Sequence, residues 1–204
     1  MNVLNKTAKA ISIIFHPILI PLFAIFIIFH SGSLFSYVPY NIKNLTYIIA
    51  LISTVLLPAS ILPLLKFQKI ISSYSLTDRR ERIIPIILSI MFYFMGFYLT
   101  SKLPMSNIIL SLYKALMIAI LGVGMISLYW KISIHMTSIG GICAIVIFIN
   151  MYYQANTILW IIASILLAGL MGSSRLILGR HTPAQVYAGF IWGMISVLSV
   201  LIIF

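Results

Sequence analysis

Residues 108–130 read IILSLYKALMIAILGVGMISLYW, an apolar run that carries a single charged residue, Lys114. A helix needs about 20 consecutive apolar residues to cross the hydrocarbon core of a bilayer. Hydrophobic residues make up 62% of the 204-residue chain and charged residues only 7%, whereas a soluble domain carries about 25% charge. The sequence therefore predicts an all-α, polytopic transmembrane bundle. It excludes soluble enzymes, disulfide scaffolds and nucleic-acid-binding modules.

Six further apolar runs give seven candidate spans in one integral-membrane domain, residues 1–204. If a short pair of them is re-entrant, the number of spans falls to six. The first run follows two lysines, as in a signal peptide, but its length, its prolines and the lack of a small-x-small cleavage site predict a retained span. The six runs are 11–29, 45–65, 85–99, 139–153, 157–171 and 183–204.

Three polar stretches, 66–84, 131–138 and 172–182, are separated from one another by two spans each. Two crossings return the chain to the same side, so all three are predicted at one face together with the N-terminus. Most of the thirteen lysines and arginines belong to this face; the exceptions are Lys43, Lys102 and Lys114. Because basic loops are retained in the cytoplasm, the sequence predicts a multi-pass protein of the cell (inner) membrane with this face in the cytoplasm.

The few acidic residues narrow the chemistry. Asp78 and Glu81 are the two carboxylates of the chain, which excludes a pair of acids on separate elements and a carboxylate cage for Mg²⁺ or Ca²⁺. A single cysteine, Cys143, excludes a Cys-based zinc site. We therefore expect no metal and no cofactor. The net charge of +11 calls for an external anion, either lipid headgroups or a phosphate-bearing substrate.

Residues 174–185, SRLILGRHTPAQ, form the richest of the three polar stretches. Thr182 is a suitable helix cap and Pro183 a suitable first helical residue. His181 is then predicted at the mouth of the last helix, where free backbone N–H groups favour an anion. Gln185 lies one turn further on, and Gly189 and Gly193 continue the same stripe and allow a neighbouring helix to approach. The alternative is a basic loop that faces lipid headgroups, followed by a packing helix.

The other two polar stretches carry weaker patterns. In residues 131–141, KISIHMTSIGG, a lysine, a hydroxyl and an imidazole suit an oxyanion pocket with a proton donor; the alternative is a lysine that snorkels to the interface. Residues 75–85, SLTDRRERIIP, contain an arginine cluster that could bind phosphate. The alternative interpretation is that this loop determines the membrane topology or contacts the lipid surface. We interpret His16 and His30 as packing and interfacial residues.

In order and spacing, these stretches resemble the type-2 phosphatidate phosphatase superfamily, integral-membrane lipid phosphatases related to acid phosphatases and haloperoxidases. The resemblance covers residues 75–193. The family pattern is Lys-x6-Arg-Pro, then Pro-Ser-Gly-His, then Ser-Arg-x5-His-x3-Asp. The corresponding residues are Arg79 or Arg82 ahead of Pro85 for the first motif, Ser133-Ile134-His135 for the second, and Ser174-Arg175 with His181 for the third. Gln185 stands where the family has Asp.

The resemblance implies a role for each matching residue. His181 would be the nucleophile that forms a phosphohistidine, His135 the acid that protonates the leaving oxygen, and Arg175 a catalytic cation. Gln185 or Glu81 would orient His181. The residues expected to bind phosphate are Arg82, Arg79, Lys131, Ser133 and Ser174.

Three hypotheses follow from these residues. The first is a metal-independent membrane phosphatase or phosphotransferase that acts on a lipid phosphate or an isoprenyl (pyro)phosphate. The second is a non-catalytic lipid-phosphate binding or transport protein on the same scaffold, since Gln185 supplies no countercharge to an imidazolium. The third is an accessory membrane subunit whose basic face docks an acidic partner. The expected partner is a membrane lipid or isoprenoid phosphate. A homo-oligomer is compatible with the sequence, and no nucleic-acid partner is expected.

Overall fold

The computed structural model describes residues 3–74, 76, 78–104 and 107–203, which form helices and turns with no strand among them. Six helical runs are long and apolar enough to cross a membrane. They are Tyr40–Phe67, Arg80–Thr100, Asn107–Tyr129, Ile134–Tyr153, Ile158–Ile177 and Pro183–Ile203. The predicted all-α, multi-pass architecture is confirmed.

The α-helices of the described residues are numbered α1 to α9. They are α1 (Val3–Ile14), α2 (Ile20–His30), α3 (Tyr40–Ala50), α4 (Leu57–Phe67), α5 (Ile83–Thr100), α6 (Asn107–Tyr129), α7 (Ile134–Tyr153), α8 (Ile158–Ile177) and α9 (Pro183–Ile203). A π-helical segment, Leu51–Leu56, joins α3 to α4 in one run. A 3₁₀ turn at Arg80–Arg82 leads into α5.

The first predicted span, residues 11–29, is not one helix. α1 ends at Ile14 and α2 begins at Ile20. Pro17 lies in the gap, and a proline has no N–H to donate and clashes with the carbonyl four residues before it. The break redirects the chain, so that α1 packs on α8 whereas α2 packs on α7.

The segment around α2 still crosses the bundle from end to end. The 11 residues of α2 extend only about 16 Å, but the residues on either side lengthen the passage. The ring of His16 packs edge-on against that of His135 in the first turn of α7, with centroids 5.4 Å apart. Phe35 packs against Tyr153 in the last turn of α7, at 4.6 Å. Residues 16–35 therefore follow α7 over its whole length and add a shorter, seventh passage to the six long ones.

α7 is the centre of the bundle and runs parallel to α9. It is 67% buried over its most apolar window, against 22–50% for the other five long runs. Gly189 faces the Ser133 carbonyl and Gly193 the Thr137 carbonyl, each so closely that a Cβ would overlap the oxygen. The contacts advance in the same direction along both helices, so α7 and α9 start at the same end. The expectation that Gly189 and Gly193 admit a neighbouring helix is confirmed.

This contact predicts a large difference between two glycines. Gly193→Ala places a methyl group against the Thr137 backbone, and overpacking of this kind costs about 1–3 kcal/mol. Gly169→Ala in α8 meets no atom within 4 Å and gains helix propensity of up to about 1 kcal/mol. We expect thermal unfolding in detergent to show a lower melting temperature for Gly193→Ala and an unchanged or higher one for Gly169→Ala. Equal melting temperatures would contradict the close packing of α7 and α9.

Candidate functional site

The three polar stretches meet at the end of the bundle where α7 and α9 begin. Arg82 Nη1 donates to the Ile132 carbonyl at 3.0 Å, which joins the start of α5 to the turn between α6 and α7. Ser133 N–H donates to the Gln185 carbonyl at 3.3 Å, which joins that turn to α9. Arg175 lies in the last turn of α8 and reaches the same end. The prediction that these stretches share one face is confirmed.

His181 lies two residues before the start of α9, and Gln185 orients its ring. Gln185 Oε1 accepts the Thr182 N–H at 3.2 Å and lies 3.1 Å from His181 Nδ1. A backbone N–H can only donate, so the shared Gln185 atom is the amide oxygen and His181 Nδ1 carries the proton. The Nε2 lone pair of neutral His181 is therefore free to accept a proton or to attack an electrophile.

The same residues start the last helix. Thr182 Oγ1 lies 3.5 Å from the Gln185 N–H, while the Gln185 side chain reaches back to the Thr182 N–H. This reciprocal arrangement is a capping box, which satisfies backbone donors that a helix start leaves free. Pro183 is the first residue of α9, as the sequence predicts. Gln185 thus caps α9 and fixes the tautomer of His181 with one oxygen atom.

Positive charges surround His181. Burial lowers the pKa of His181 to about 4, and the hydrogen bond to Gln185 acts in the opposite direction. The charges of Arg175, Arg82 and Lys131 lower it further. Near neutral pH the ring is therefore uncharged in the free site.

Lys131 belongs to the same group of charges. Burial lowers the pKa of Lys131, and repulsion from Arg82, Arg180 and Arg175 adds to the effect, with Asp78 opposing it. Repulsion of this kind indicates that the fold holds several positive charges close together. The four bases Arg82, Lys131, Arg175 and Arg180 are called the cationic cluster below.

The two acidic residues are engaged elsewhere. Glu81 accepts hydrogen bonds from the N–H and the hydroxyl of Ser72, at 3.0 and 3.2 Å, rather than from His181. Asp78 accepts the N–H of Arg80 at 3.0 Å. In the described part of the chain, no member of the cationic cluster forms an ion pair with either carboxylate. The cluster is therefore electrostatically suited to an anion from outside the protein.

Two buried donors near the cluster have no partner in the described structure. Arg175 Nη1 donates to Ser12 Oγ at 3.1 Å, but its Nε is buried and unsatisfied. The Ser133 hydroxyl is also unsatisfied, and this residue is 0% exposed. A buried polar group without a partner costs about 1–3 kcal/mol. The family resemblance implies a catalytic role for Arg175 and a phosphate-binding role for Ser133.

The second histidine of the motifs, His135, is held by α1. Its Nε2 lies 3.2 Å from the Ser12 carbonyl. Because a carbonyl only accepts, His135 carries its proton on Nε2 in this contact. The sequence pattern does not predict the contact with Ser12, and it predicts only a packing role for His16, whose ring packs against that of His135. A signal was present, since the His16-Pro17 pair interrupts an apolar run.

Two residues expected to bind phosphate, Arg79 and Ser174, form their hydrogen bonds away from His181, and His30, interpreted as an interfacial residue, lies far from it. Arg79 Nη1 donates to the Leu128 carbonyl at 2.9 Å. The Ser174 hydroxyl is buried and donates back to Leu170 within α8 at 2.7 Å. His30 lies at the far end of α2 and stacks on Phe26 at 4.2 Å. Two members of the arginine stretch, residues 75 and 77, lie outside the described residues.

An apolar cavity opens beside the cationic cluster. It has a volume of about 180 Å³ and lies between α2, α4, α5, α6 and α7. His16 and Arg82 line it at the polar end, and Tyr93, Leu112 and Ile145 line it deeper in the bundle. The lining follows α5 from Arg82 to Tyr93, about three helical turns or 16 Å. The site thus joins a charged mouth to an apolar interior.

The described residues contain no group of three or more His, Cys, Asp or Glu side chains that could hold a metal ion. Comparison with family models, with curated proteins and with solved structures gives no match for this chain.

The low pKa of His181 predicts a loss of stability in acid. A histidine whose pKa is lower in the folded state than in the unfolded state, where it is about 6.5, disfavours folding once the unfolded chain takes up the proton. We expect the free energy of unfolding to decrease as the pH falls from about 6.5 towards 4, with no contribution from this group above about 6.5. Thermal unfolding in detergent across this interval measures it.

The matched variant is His181→Gln, which has no titrating group at this position. Wild-type protein is expected to lose more stability than His181→Gln between the two ends of the interval. The other histidines titrate in both proteins, so the difference isolates His181. Identical pH dependence in the two proteins would contradict the lowered pKa.

Proposed function

We propose that this protein is a membrane phosphatase or phosphotransferase that acts on a lipid phosphate or an isoprenyl (pyro)phosphate through a phosphohistidine at His181. The observation that carries the proposal is the state of this ring. Gln185 fixes the Nδ1 proton, which leaves Nε2 free within a cluster of cations. The resemblance of residues 75–193 to the type-2 phosphatidate phosphatases supports the same conclusion.

The cationic cluster suits a phosphoryl group. Arg82 and Arg175 carry planar guanidinium groups, which pair with phosphate oxygens in a bidentate manner, and Lys131 adds a compact charge. Arg175 Nε and the Ser133 hydroxyl supply donors that have no partner in the described structure. Burial and the repulsion between neighbouring cations lower the pKa values of His181 and Lys131, and a phosphate dianion would relieve the repulsion.

The apolar cavity supports a lipid rather than a water-soluble substrate. It begins at His16 and Arg82 and continues between apolar side chains. A phosphate bound at the cationic cluster would leave its alkyl or isoprenoid chain facing this cavity or the surrounding bilayer. Binding sites of this composition, apolar with a few convergent polar groups, are typical of small-molecule ligands.

The proposed chemistry has two steps. In the first, His181 Nε2 attacks phosphorus; the N–P bond forms, the bond between phosphorus and the lipid oxygen breaks, and this oxygen takes a proton from an imidazolium of the site. In the second, water attacks phosphorus, the N–P bond breaks, and the proton of the water returns to the imidazole. A second alcohol in place of water makes the reaction a phosphotransfer. The cationic cluster stabilises the charge that develops on the phosphoryl oxygens, and the resemblance gives the proton-donor role to His135.

Gln185 favours a second candidate function, a non-catalytic lipid-phosphate binding or transport protein. A neutral amide fixes the tautomer of His181 but supplies no negative charge to stabilise an imidazolium. In the serine-protease template, replacing the orienting Asp by Asn costs about 10⁴ in kcat, although part of that loss is a wrong tautomer that Gln185 avoids here.

We further propose that the chain resides in the cell (inner) membrane with the cationic end in the cytoplasm. Lys43 bonds to the carbonyl of Ser36 at the opposite end, and Lys102 follows the far end of α5. Most other basic residues lie at the cationic end, and basic loops are retained in the cytoplasm.

The phosphatase proposal predicts release of inorganic phosphate when purified protein meets a dilute lipid phosphate. His181→Ala removes the nucleophile, so we expect it to lose activity about 10³-fold or more. Substrate labelled in its phosphate is expected to leave an acid-labile label on wild-type protein and none on His181→Ala. His30→Ala, the same substitution at the far end of α2, is the control and keeps wild-type activity.

Equal activity of wild type and His181→Ala would refute the proposal. Saturable binding of lipid phosphate by wild type without release would instead support the non-catalytic function. In that case Gln185→Asp, which places a carboxylate opposite His181 Nδ1, is expected to start hydrolysis.

The orientation predicts which end of the protein a membrane-impermeant thiol reagent can reach. With the single cysteine removed by Cys143→Ala, Lys102→Cys is expected to react in spheroplasts. Arg80→Cys at the cationic end is expected to react only after the membrane is permeabilised. The reverse pattern would place the site outside the cytoplasm and leave the chemistry unaffected.

A further inference from the structure

α1 lies outside the three motifs, but one of its residues reaches the site. Ala8 and Ser12 are the buried residues of α1, and their spacing of four places them on one face of the helix. Ser12 is 7% exposed and stands in the last turn of α1, where backbone carbonyls have no partner within the helix. It therefore brings both a hydroxyl and a free carbonyl to the end of the bundle where His135 and Arg175 lie.

The break at Pro17 leaves the carbonyl of Ser12 free. In a continued α-helix the His16 N–H would donate to this oxygen, but it donates instead to the Ile13 carbonyl at 3.3 Å. Pro17 has no N–H, so the Ile13 carbonyl is available for this bond. His135 Nε2 lies 3.2 Å from the Ser12 carbonyl and donates to it. The first turn of α7 is thus joined to α1, and Nδ1 of His135 is the nitrogen that remains available to a ligand.

The hydroxyl of Ser12 holds Arg175. Arg175 Nη1 donates to Ser12 Oγ at 3.1 Å, and the same hydroxyl donates to the Ala8 carbonyl at 2.9 Å. Because its own proton is directed to Ala8, the hydroxyl presents a lone pair to the guanidinium group. A guanidinium group is rigid and planar, so a hydrogen bond to one of its nitrogens restricts the orientation of the whole group.

This anchor leaves one edge of Arg175 free for a ligand. Nε and Nη2 form the edge of the guanidinium group that does not include Nη1, and such an edge pairs with two phosphate oxygens. Nε is buried without a partner, and Nη2 has no hydrogen-bond partner among the described residues. Burial and, with other cations, the charge of Arg175 lower the pKa values of His181 and Lys131. The guanidinium group therefore lies near the nucleophile of the proposed reaction.

We propose that Ser12 is a positioning residue of the phosphate site, which orients Arg175 so that its free edge meets the phosphoryl group. This inference rests on the proposed function, and it applies to turnover and to binding alike because Arg175 contacts the phosphate in both. Without the hydroxyl, the long side chain of Arg175 regains rotamer freedom, and ordering it again on binding lowers the affinity. α1 thus completes a site whose other residues come from the three motifs.

Binding of radiolabelled inorganic phosphate to the purified protein in detergent tests this role. Ser12→Ala removes the hydroxyl but leaves the backbone carbonyl, so the contact with His135 is kept. We expect the Kd for phosphate to rise about 10-fold, the usual loss for a hydrogen bond to a charged group, and kcat/KM on a lipid phosphate to fall by a similar factor. Thr7→Ala is the matched control, because the Thr7 hydroxyl bonds only to carbonyls of α1, and it is expected to behave as wild type.

The same substitution in the absence of Arg175 separates positioning from a general defect. If Ser12 acts through Arg175, adding Ser12→Ala to Arg175→Ala is expected to change the Kd for phosphate by less than about twofold, because the two residues are directly coupled. A structural defect that is independent of Arg175 would add its full factor in both backgrounds.

Three results would overturn the inference. The first is a wild-type affinity for phosphate in Ser12→Ala. The second is tighter binding in this variant, which would mean that Ser12 holds Arg175 away from the ligand. The third is the same fold loss with and without Arg175. The melting temperature in detergent shows whether Ser12→Ala is folded, and Ser12→Cys, which replaces the hydroxyl by a weak acceptor, serves as a second variant if it is not.

The failure of the proposed function has a different signature. If wild type releases no phosphate from a lipid phosphate, or His181→Ala releases it as fast, the catalytic proposal falls, whereas a loss of phosphate affinity in Ser12→Ala still supports the positioning of Arg175. If wild type binds no inorganic phosphate, both proposals fall together. If wild type and His181→Ala differ as expected but Ser12→Ala binds phosphate like wild type, only the role of Ser12 is lost.

Discussion

The close, parallel contact of α7 with α9 is the constraint on which the rest of the structure depends. Gly189 and Gly193 allow backbone to touch backbone, and this fixes both the distance and the register of the two helices. Because the helices are parallel, both begin at the same end of the bundle. His135 and His181 stand near the starts of these helices, 46 residues apart in the chain. The packing of α7 against α9 within the membrane therefore determines which side chains come together at the membrane surface.

The arrangement concentrates positive charge without a matching carboxylate. Arg82 and Arg175 are anchored by hydrogen bonds to a carbonyl and to a hydroxyl, and these contacts hold the guanidinium groups in place without an ion pair among the described residues. Such a site is costly in the empty protein and becomes favourable when an anion enters, because the ligand supplies the missing charge. The preorganisation of donors before the ligand arrives is the usual basis of electrostatic catalysis.

Much of the fold and part of the site could be predicted from the sequence. Long apolar runs predict the membrane helices directly. The even number of spans between the polar stretches predicts that these stretches lie at one face of the membrane. The contact of His181 with Gln185 follows from a spacing of one helical turn. The choice between Arg79 and Arg82 does not, because both lie on one short turn and only its tertiary orientation decides which faces the site. The position of His16 next to His135 could not be predicted either, because the two residues are more than a hundred residues apart in the chain.

The shared oxygen of Gln185 has a consequence for the behaviour of the first turn of α9. That atom closes the capping box through Thr182 and also receives the proton of His181 Nδ1. Helix ends fray more readily than helix centres. When this turn opens, Gln185 withdraws, and the imidazole is free to rotate or to exchange tautomers. The tautomer and orientation of the His181 ring are thus coupled to the integrity of the first turn of α9.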